Sequence, residues 1–280
     1  MLRHLSLCSV LLLGFACAAG SASSAADGDD SGRAGLDFGQ VEVDPDADCD
    51  SVLEVTYRDF DVSHPDFEMV FKGDVVRRGL VAEYLGADSK PVFADPTGCP
   101  GLREDPLACD NWEVTTPEIE SQESFNQWYR DVPDVNHRFD RTLTLTDQGN
   151  GKYVYSSDAF FPIGQGEGWG ATPPAHINQN FLFTTELHLA FTYVAGHVFS
   201  FYGDDDMWIF VNGRLALDLG GMHGKEAGTI DFDAQAERLG IRPGNVYRMD
   251  IFHAERHTDQ SNFQIETTIG CFVPVDVEVL

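Results

Sequence analysis

From Val52 onward the chain alternates apolar and polar residues in short runs, the period expected of half-buried β-strands. Val52-Leu53-Glu54-Val55-Thr56-Tyr57 is the first such run, and Arg141 to Thr146 with Tyr153-Val154-Tyr155 predicts a hairpin turning through Asp147 to Gly151. Phe181 to Tyr193 gives one long strand or two. Val198 to Gly203 and Met207 to Val211 are aromatic-rich strands joined by a tight acidic loop. Asn212-Gly213 then supplies the positive φ angles of a type I′ turn, and Arg214 to Asp218 returns as the partner strand. Gly228 to Asp233, Val246 to His253 and Phe263 to Ile269 complete the series. Short strands at this spacing predict an all-β sandwich or barrel.

Helical patterning is confined to the first half of the chain. Ser63 to Glu68 reads as a turn into a short helical segment. Ser121 to Tyr129 reads as a capped helix with Phe125 and Trp128 on its core face. One or two short helices are therefore expected there. Val75 to Leu85 fits either periodicity. Residues 90–111 hold prolines, glycines and two cysteines, which predicts a stapled loop.

The N-terminus has a different character. Met1 to His4 is a short basic start, Leu5 to Ala16 an apolar run, and Ala16-Cys17-Ala18 fits a small-residue cleavage site. Residues 1–26 are read as a signal peptide and export as its consequence, to the cell surface or beyond. The apolar run is too short to span a bilayer, and no other stretch comes near the roughly 20 apolar residues needed. Cys17 offers an alternative, lipid attachment, although Gly14 stands where lipoprotein signals carry an aliphatic residue. Residues 27–51 are Asp, Gly, Ser and Ala with little apolar content, an acidic linker by composition. The domain spans 52–273, with 274–280 as a tail.

Charge and cysteines narrow the function classes. Forty-six acids against 18 bases leave a net charge of −28, which repels nucleic-acid phosphates and anionic bilayers. The cysteines of an exported chain, Cys49, Cys99, Cys109 and Cys271, predict two disulfides with three possible pairings. Cys99 with Cys109 across the loop, and Cys49 with Cys271 tying the domain ends, is the expected set. Zinc lacks the C-x₂-C pair it usually needs. His253-Ala254-Glu255-Arg256-His257 lacks the order and the helix of a zinc protease motif, and the glycines from 164 to 170 lack the Lys-Ser or Lys-Thr of a phosphate loop. Nothing singles out an acid–nucleophile pair, so no enzyme is expected.

Asp204-Asp205-Asp206 carries the sharpest chemistry. Three adjacent carboxylates between apolar strands repel one another, and a hard cation with oxygen ligands, Ca²⁺, is the natural remedy. A solvated acidic turn is the alternative; the flanking Trp208 and Phe210 argue against it by holding the loop against a core.

Several phrases together resemble a fibro-slime domain. They are Tyr57-Arg58-Asp59-Phe60 with Pro65-Asp66-Phe67-Glu68, Gly203-Asp204-Asp205-Asp206-Met207-Trp208, Asp218-Leu219-Gly220-Gly221-Met222-His223, and Ala254-Glu255-Arg256-His257 with Ser261-Asn262-Phe263. That family is similar to the protective-antigen-like β-sandwich domains of toxins, glycosidases and flocculation adhesins. In their sugar-binding members two consecutive aspartates, often across a cis peptide, hold a Ca²⁺ that coordinates sugar hydroxyls, with an Asn from a neighbouring loop. The resemblance implies a site at Asp204 and Asp205, with Asp206 as a third ligand or a turn residue. It places Glu255 where the adhesins have Asn. Trp169, His257 and Asn262 are the candidates to contact a glycan or extracellular polysaccharide. The alternative is a structural matrix module, with protein partners, in which calcium only stiffens the loops. Asp218 and His223 are expected to secure the Gly220-Gly221 turn, and Arg256 to pair with an acid.

Overall fold

The computed structural model describes residues 51–69, 75–100, 117–164, 166–169, 179–258 and 260–275. The leader, Cys17, nearly all of the acidic linker, Cys49 and Cys109 lie outside them. The strands are β1 (Val52–Phe60), β2 (Arg77–Arg78), β3 (Cys99–Pro100), β4 (Asn136–Thr144), β5 (Thr146–Asp147), β6 (Tyr153–Ser157), β7 (Phe183–Thr192), β8 (Val198–Gly203), β9 (Asp206–Val211), β10 (Arg214–Leu219), β11 (Glu226–Asp231), β12 (Val246–Glu255), β13 (Phe263–Thr267) and β14 (Val273–Pro274). Two helices join them, α1 (Gln122–Phe125) and α2 (Phe232–Leu239).

Two antiparallel sheets face each other. The larger has the order β10-β9-β12-β7-β1-β4, with β14 also on β7, and the smaller runs β11-β8-β13-β6-β5. Alternation along each strand sends one set of side chains between the sheets. Leu53, Val55 and Tyr57 of β1, Leu187, Leu189 and Phe191 of β7, Ile209 and Val211 of β9, and Met249 and Ile251 of β12 meet Phe199, Phe201, Phe263 and Ile265 of the smaller sheet. Fully burying a side chain of this size contributes roughly 1.5–3 kcal/mol.

The opposite face of the larger sheet is also dry. Trp208, Phe210, Phe252 and Ala254 pack against Phe60, Phe67, Leu80, Val81, Ile119, Phe125 and Trp128, so residues between β1 and β4 form a third, irregular layer. Phe125 and Trp128 lie 4.9 Å apart, ring to ring, and both are fully buried as expected, but the helix expected from Ser121 to Tyr129 ends at Phe125 and Trp128 lies in the turn that follows. Ser121 caps α1 by accepting from the Ser124 N–H at 3.0 Å.

Three expectations need correction. Ser63 to Glu68 forms turns, not helix, and the second helix lies in the C-terminal half. There Asp231 caps α2 through the Ala234 N–H, and Gly240 closes it in the left-handed region at φ 68°. The hairpin foreseen from 141 to 155 is reduced to Thr146 and Asp147 on Val154 and Tyr153, because β4 pairs with β1 in the other sheet. Likewise β8 and β9 are not paired with each other. β8 lies between β11 and β13 and β9 between β10 and β12, so the acidic stretch between them crosses from one sheet to the other. The Asn212-Gly213 turn is as expected, with φ 53° and 72° and Arg214 opposite Val211. Cys99 and Cys271 are both disulfide-bonded. No helix among the described residues is long and apolar enough to cross a membrane.

Candidate functional site

Strand parity divides the three aspartates. Asp206 is the first residue of β9 and stands opposite Ala254 of β12, on the face shared by Trp208 and Phe252. It therefore points into the irregular layer. Its Oδ2 accepts from Arg256 Nε at 2.6 Å and its Oδ1 from the Gly221 N–H at 2.5 Å, with both side chains of the ion pair fully buried. Arg256 also donates through Nη1 to the carbonyls of Glu118 (2.9 Å) and Asp66 (3.2 Å), and its guanidinium lies 4.9 Å from the Trp128 ring centroid. Trp128 is itself anchored by Nε1 to Asp66 Oδ2 at 2.9 Å. Burial opposes the Arg256 charge, but Asp206, Asp205 and Glu118 outweigh it and hold its pKa above the ordinary value. With each oxygen occupied, Asp206 is the acid of a buried ion pair beneath the loop.

Asp204 and Asp205 form the crossover itself, and the peptide between them is cis. Asp204 is clasped by Asn262, whose backbone N–H and side-chain Nδ2 each donate to one carboxylate oxygen at 2.6 Å. Asp205 accepts from the His223 N–H at 3.2 Å and the Arg256 N–H at 3.0 Å. His253 Nε2 donates to the Asp204 carbonyl at 2.8 Å, leaving Nδ1 to accept from Thr185 Oγ1 at 3.0 Å. Burial lowers the His253 pKa to about 4, so this ring is neutral and contributes no positive charge at physiological pH.

Glu255, the last residue of β12, completes the group. It is fully buried, and neither of its oxygens makes a well-formed hydrogen bond. Burial, then the charges of Asp205 and Asp204, push its pKa well up, with the Ser261 hydroxyl and the His257 N–H countering in part. Burial similarly raises Asp204 and, strongly, Asp205. Buried carboxyls without donors are rare because the charged form has lost its hydration. Among the described residues no group of three or more His, Cys, Asp or Glu side chains is placed to hold a metal ion. What the loop offers a cation is donor chemistry: hard oxygens only, like charges gathered, and one buried carboxyl without a well-formed hydrogen bond.

The cross-strand row that contains Glu255 continues through Phe183 of β7 to Asp59 of β1. Asp59 Oδ2 accepts the Trp169 N–H at 2.5 Å and Oδ1 the Asn180 Nδ2 at 2.6 Å; burial still raises its pKa to about 6. Trp169 thus sits at the same end of the sandwich, 44% exposed, its ring 4.7 Å from that of His137. His257 is half-buried, and its Nδ1 donates to the Thr258 carbonyl at 2.8 Å. Asn262 supplies its amide N–H groups to Asp204, so its first role is to orient that acid. Asp218 accepts from the N–H groups of Gly79 and Gly220 and from Trp208 Nε1, at 2.8, 3.2 and 3.0 Å, and His223 bonds back to the Leu219 and Gly224 carbonyls. Both secure the glycine turn. The functional part of Arg256 as the clamp beneath the loop, and the anchoring of Trp169 by Asp59, are not visible in the spacing of the sequence. The only signal available was parity, which puts neighbours Glu255 and Arg256 on opposite faces.

Gly203 sets the approach of the two sheets here. A Cβ at this position would lie 2.4 Å from the Asn262 carbonyl oxygen and 2.5 Å from Phe201 Cζ. Gly203→Ala is expected to destabilise the fold by about 1–3 kcal/mol through overpacking. Urea unfolding checks this, and an unchanged midpoint would contradict it.

Comparison with known proteins follows this geometry. Residues 164–271 match the PA14 domain. The match contains β7 to β13, and with them Asp204, Asp205, Glu255 and Asn262. Along more of its length the chain is similar to proteins of Dictyostelium discoideum: psiD (35% identical over 224 residues, 78% of this chain and 41% of the relative), psiQ (36% over 220 residues, 75% and 20%) and psiC (32% over 233 residues, 79% and 42%). The chain thus spans between a fifth and about two fifths of these relatives. A solved PA14 sugar-binding domain from an RTX adhesin aligns at TM-score 0.24 and 14% identity, over 45% of this chain and 75% of that one.

Proposed function

We propose that this chain is a calcium-binding domain of the fibro-slime kind that acts outside the cell and attaches to carbohydrate, in adhesion or in an extracellular matrix. The observation that carries the reading is Glu255, fully buried beside Asp204 and Asp205 at the sandwich end, where the Ser261 hydroxyl and the His257 N–H offset its burial only in part. Ca²⁺ would be held by Asp205 and Glu255, with Asp204 steadied by Asn262. The ion supplies positive charge and open coordination for paired hydroxyls; the chain supplies the rigid crossover and Trp169, exposed at the same end, as a surface for a sugar ring. The match to the PA14 domain supports the carbohydrate part. The role is binding; no catalytic step is invoked.

A second reading keeps the ion and drops the sugar. Asp204 and Asp205 are only 1% and 5% exposed and Glu255 not at all, which favours an ion that braces the two sheets for a matrix protein with protein partners. A glycan array run with Ca²⁺ and again with EDTA separates them. Calcium-dependent glycan signal that disappears in Asp205→Ala supports attachment to sugar. A calcium-dependent rise in Tm with a blank array supports the bracing role. Absence of both effects removes the calcium reading altogether.

A further inference from the structure

The third layer does not cover the whole outer face of the larger sheet. Where it stops, beyond Tyr129 to Asp131, the outer faces of β4, β1 and β7 border a groove of about 1090 Å³. It is far from uniform with the rest of the surface. Arg58, Lys90, Arg130, Arg138 and Arg141 line it, five of the chain's 18 bases, beside only five of its 46 acids. In a chain of net charge −28, a groove with as many bases as acids repels an anion less than the chain's overall balance would.

The floor of the groove is built, not merely charged. Arg58 and Lys90, both nearly buried, converge on the single carboxylate of Glu186, Arg58 Nη1 at 2.5 Å. His188 lies between Glu186 and Asp250, bonding to each, and its pKa is raised against the opposing effect of burial by those two carboxylates. Arg248 adds a further cation on Asp250 at 2.6 Å. The Tyr129 hydroxyl, fully buried in the groove wall, has no hydrogen-bond partner. Toward solvent the charges alternate: Arg138 is half-exposed between Asp131 (3.3 Å) and Asp140 (2.9 Å), and Arg130 pairs with Asp88 at 2.8 Å.

We propose that this groove binds a carboxylated saccharide, a chain carrying uronic acid units, with Arg138 receiving the sugar carboxylate and Tyr129 a hydroxyl. Three features select that class. A guanidinium takes a carboxylate bidentately, and the sugar carboxylate would displace Asp131 and Asp140, whose side chains are both more than half exposed, from Arg138. Sugar hydroxyls both donate and accept, which suits a wall where carboxylates alternate with guanidinium groups and one phenol lacks a partner. The volume is just above the roughly 300–1000 Å³ usual for small-molecule sites, so it admits more than one ring. The groove lies on the outer face and the acid cluster at the mouth between the sheets, so neither proposal depends on the other.

Calorimetric titration of the whole chain with oligogalacturonate, and with a neutral galacto-oligosaccharide of equal length, tests this in EDTA. The acidic chain is expected to bind at least about tenfold more tightly than the neutral one, and Arg138→Ala to weaken it by about tenfold or more. Arg138→Lys retains the charge without the fork and should fall between. Tyr129→Phe is expected to lose affinity severalfold with Tm unchanged or higher, since it removes a buried hydroxyl that has no partner. Equal affinity for both oligosaccharides, no binding of either, or indifference to Arg138→Ala overturns the proposal. Binding that needs Ca²⁺ overturns it too, by moving the saccharide to the crossover site.

Discussion

Arg256→Met is expected to destabilise the domain by about 3–5 kcal/mol, the usual result of leaving one member of a buried ion pair uncompensated. The size follows from what the guanidinium holds. It neutralises Asp206, caps the carbonyls of Asp66 and Glu118, and packs on Trp128, all without solvent contact. Methionine fills much of the volume but leaves the Asp206 carboxylate charged and buried. Adding Asp206→Asn should recover a large part of the loss, because the amide oxygen can still accept the Gly221 N–H while the orphan charge is gone. For a domain of this size, thermal melting should register the single variant as a Tm drop of about 10 °C, at roughly 2–4 °C per kcal/mol. A loss under about 1 kcal/mol, the range of exposed pairs, would falsify the clamp.

Glu255→Gln is expected to act in opposite directions with and without Ca²⁺. In EDTA the variant should be the more stable protein at neutral pH. Burial and the Asp205 and Asp204 charges hold the Glu255 pKa above its value in the unfolded chain. The folded state then binds more protons than the unfolded one between those two values, so stability falls as pH rises through that interval. Glutamine cannot ionise and escapes the fall. With Ca²⁺ the order reverses, because a ligand at 100 times its Kd adds about 2.7 kcal/mol to a protein that can bind it, and the variant has lost a ligand. Melting curves between pH 5 and 8, with Ca²⁺ and with EDTA, show whether the curves cross. Wild type and variant responding alike to Ca²⁺ would place the ion elsewhere or nowhere.

The longer strands were legible from alternation alone, and so was the type I′ turn at Asn212-Gly213, whereas the two-residue strands β2, β3 and β14 were not. Their division between two sheets was not. Val198 to Gly203 and Met207 to Val211 have the same aromatic alternation, and only the pairing with β11, β13, β10 and β12 shows that they belong to different layers. Helix α2 had its signals in place, Asp231 ahead and Gly240 behind, but the strand pattern of Gly228 to Asp233 runs into it without a break. The third layer is illegible for a different reason. Its segments have no period and owe their positions to a few anchors such as Phe125, Trp128 and Asp66, which act across long separations in the chain.

At the acid cluster the residue types were legible but their partition was not. Three adjacent aspartates look equivalent on paper. In space one is neutralised by arginine, one is clasped by asparagine, and one meets only backbone N–H donors beside a buried glutamate without a well-formed hydrogen bond. The cross-strand register of Asp206 with Ala254 produces that difference, and register is a property of the sheet, not of the tripeptide.

That irregular layer also decides how the protein can be handled. The stretch matching the PA14 domain starts at residue 164, after β1, β4 and the anchors of the layer have already passed. A recombinant fragment trimmed to those limits would leave the indole of Trp208 and the rings of Phe210 and Phe252 open to water, and β7 with a raw edge where β1 had been. Such a fragment is a candidate for inclusion bodies. Expression from Cys49 onward keeps its hydrophobic back clothed and retains the expected partner of Cys271.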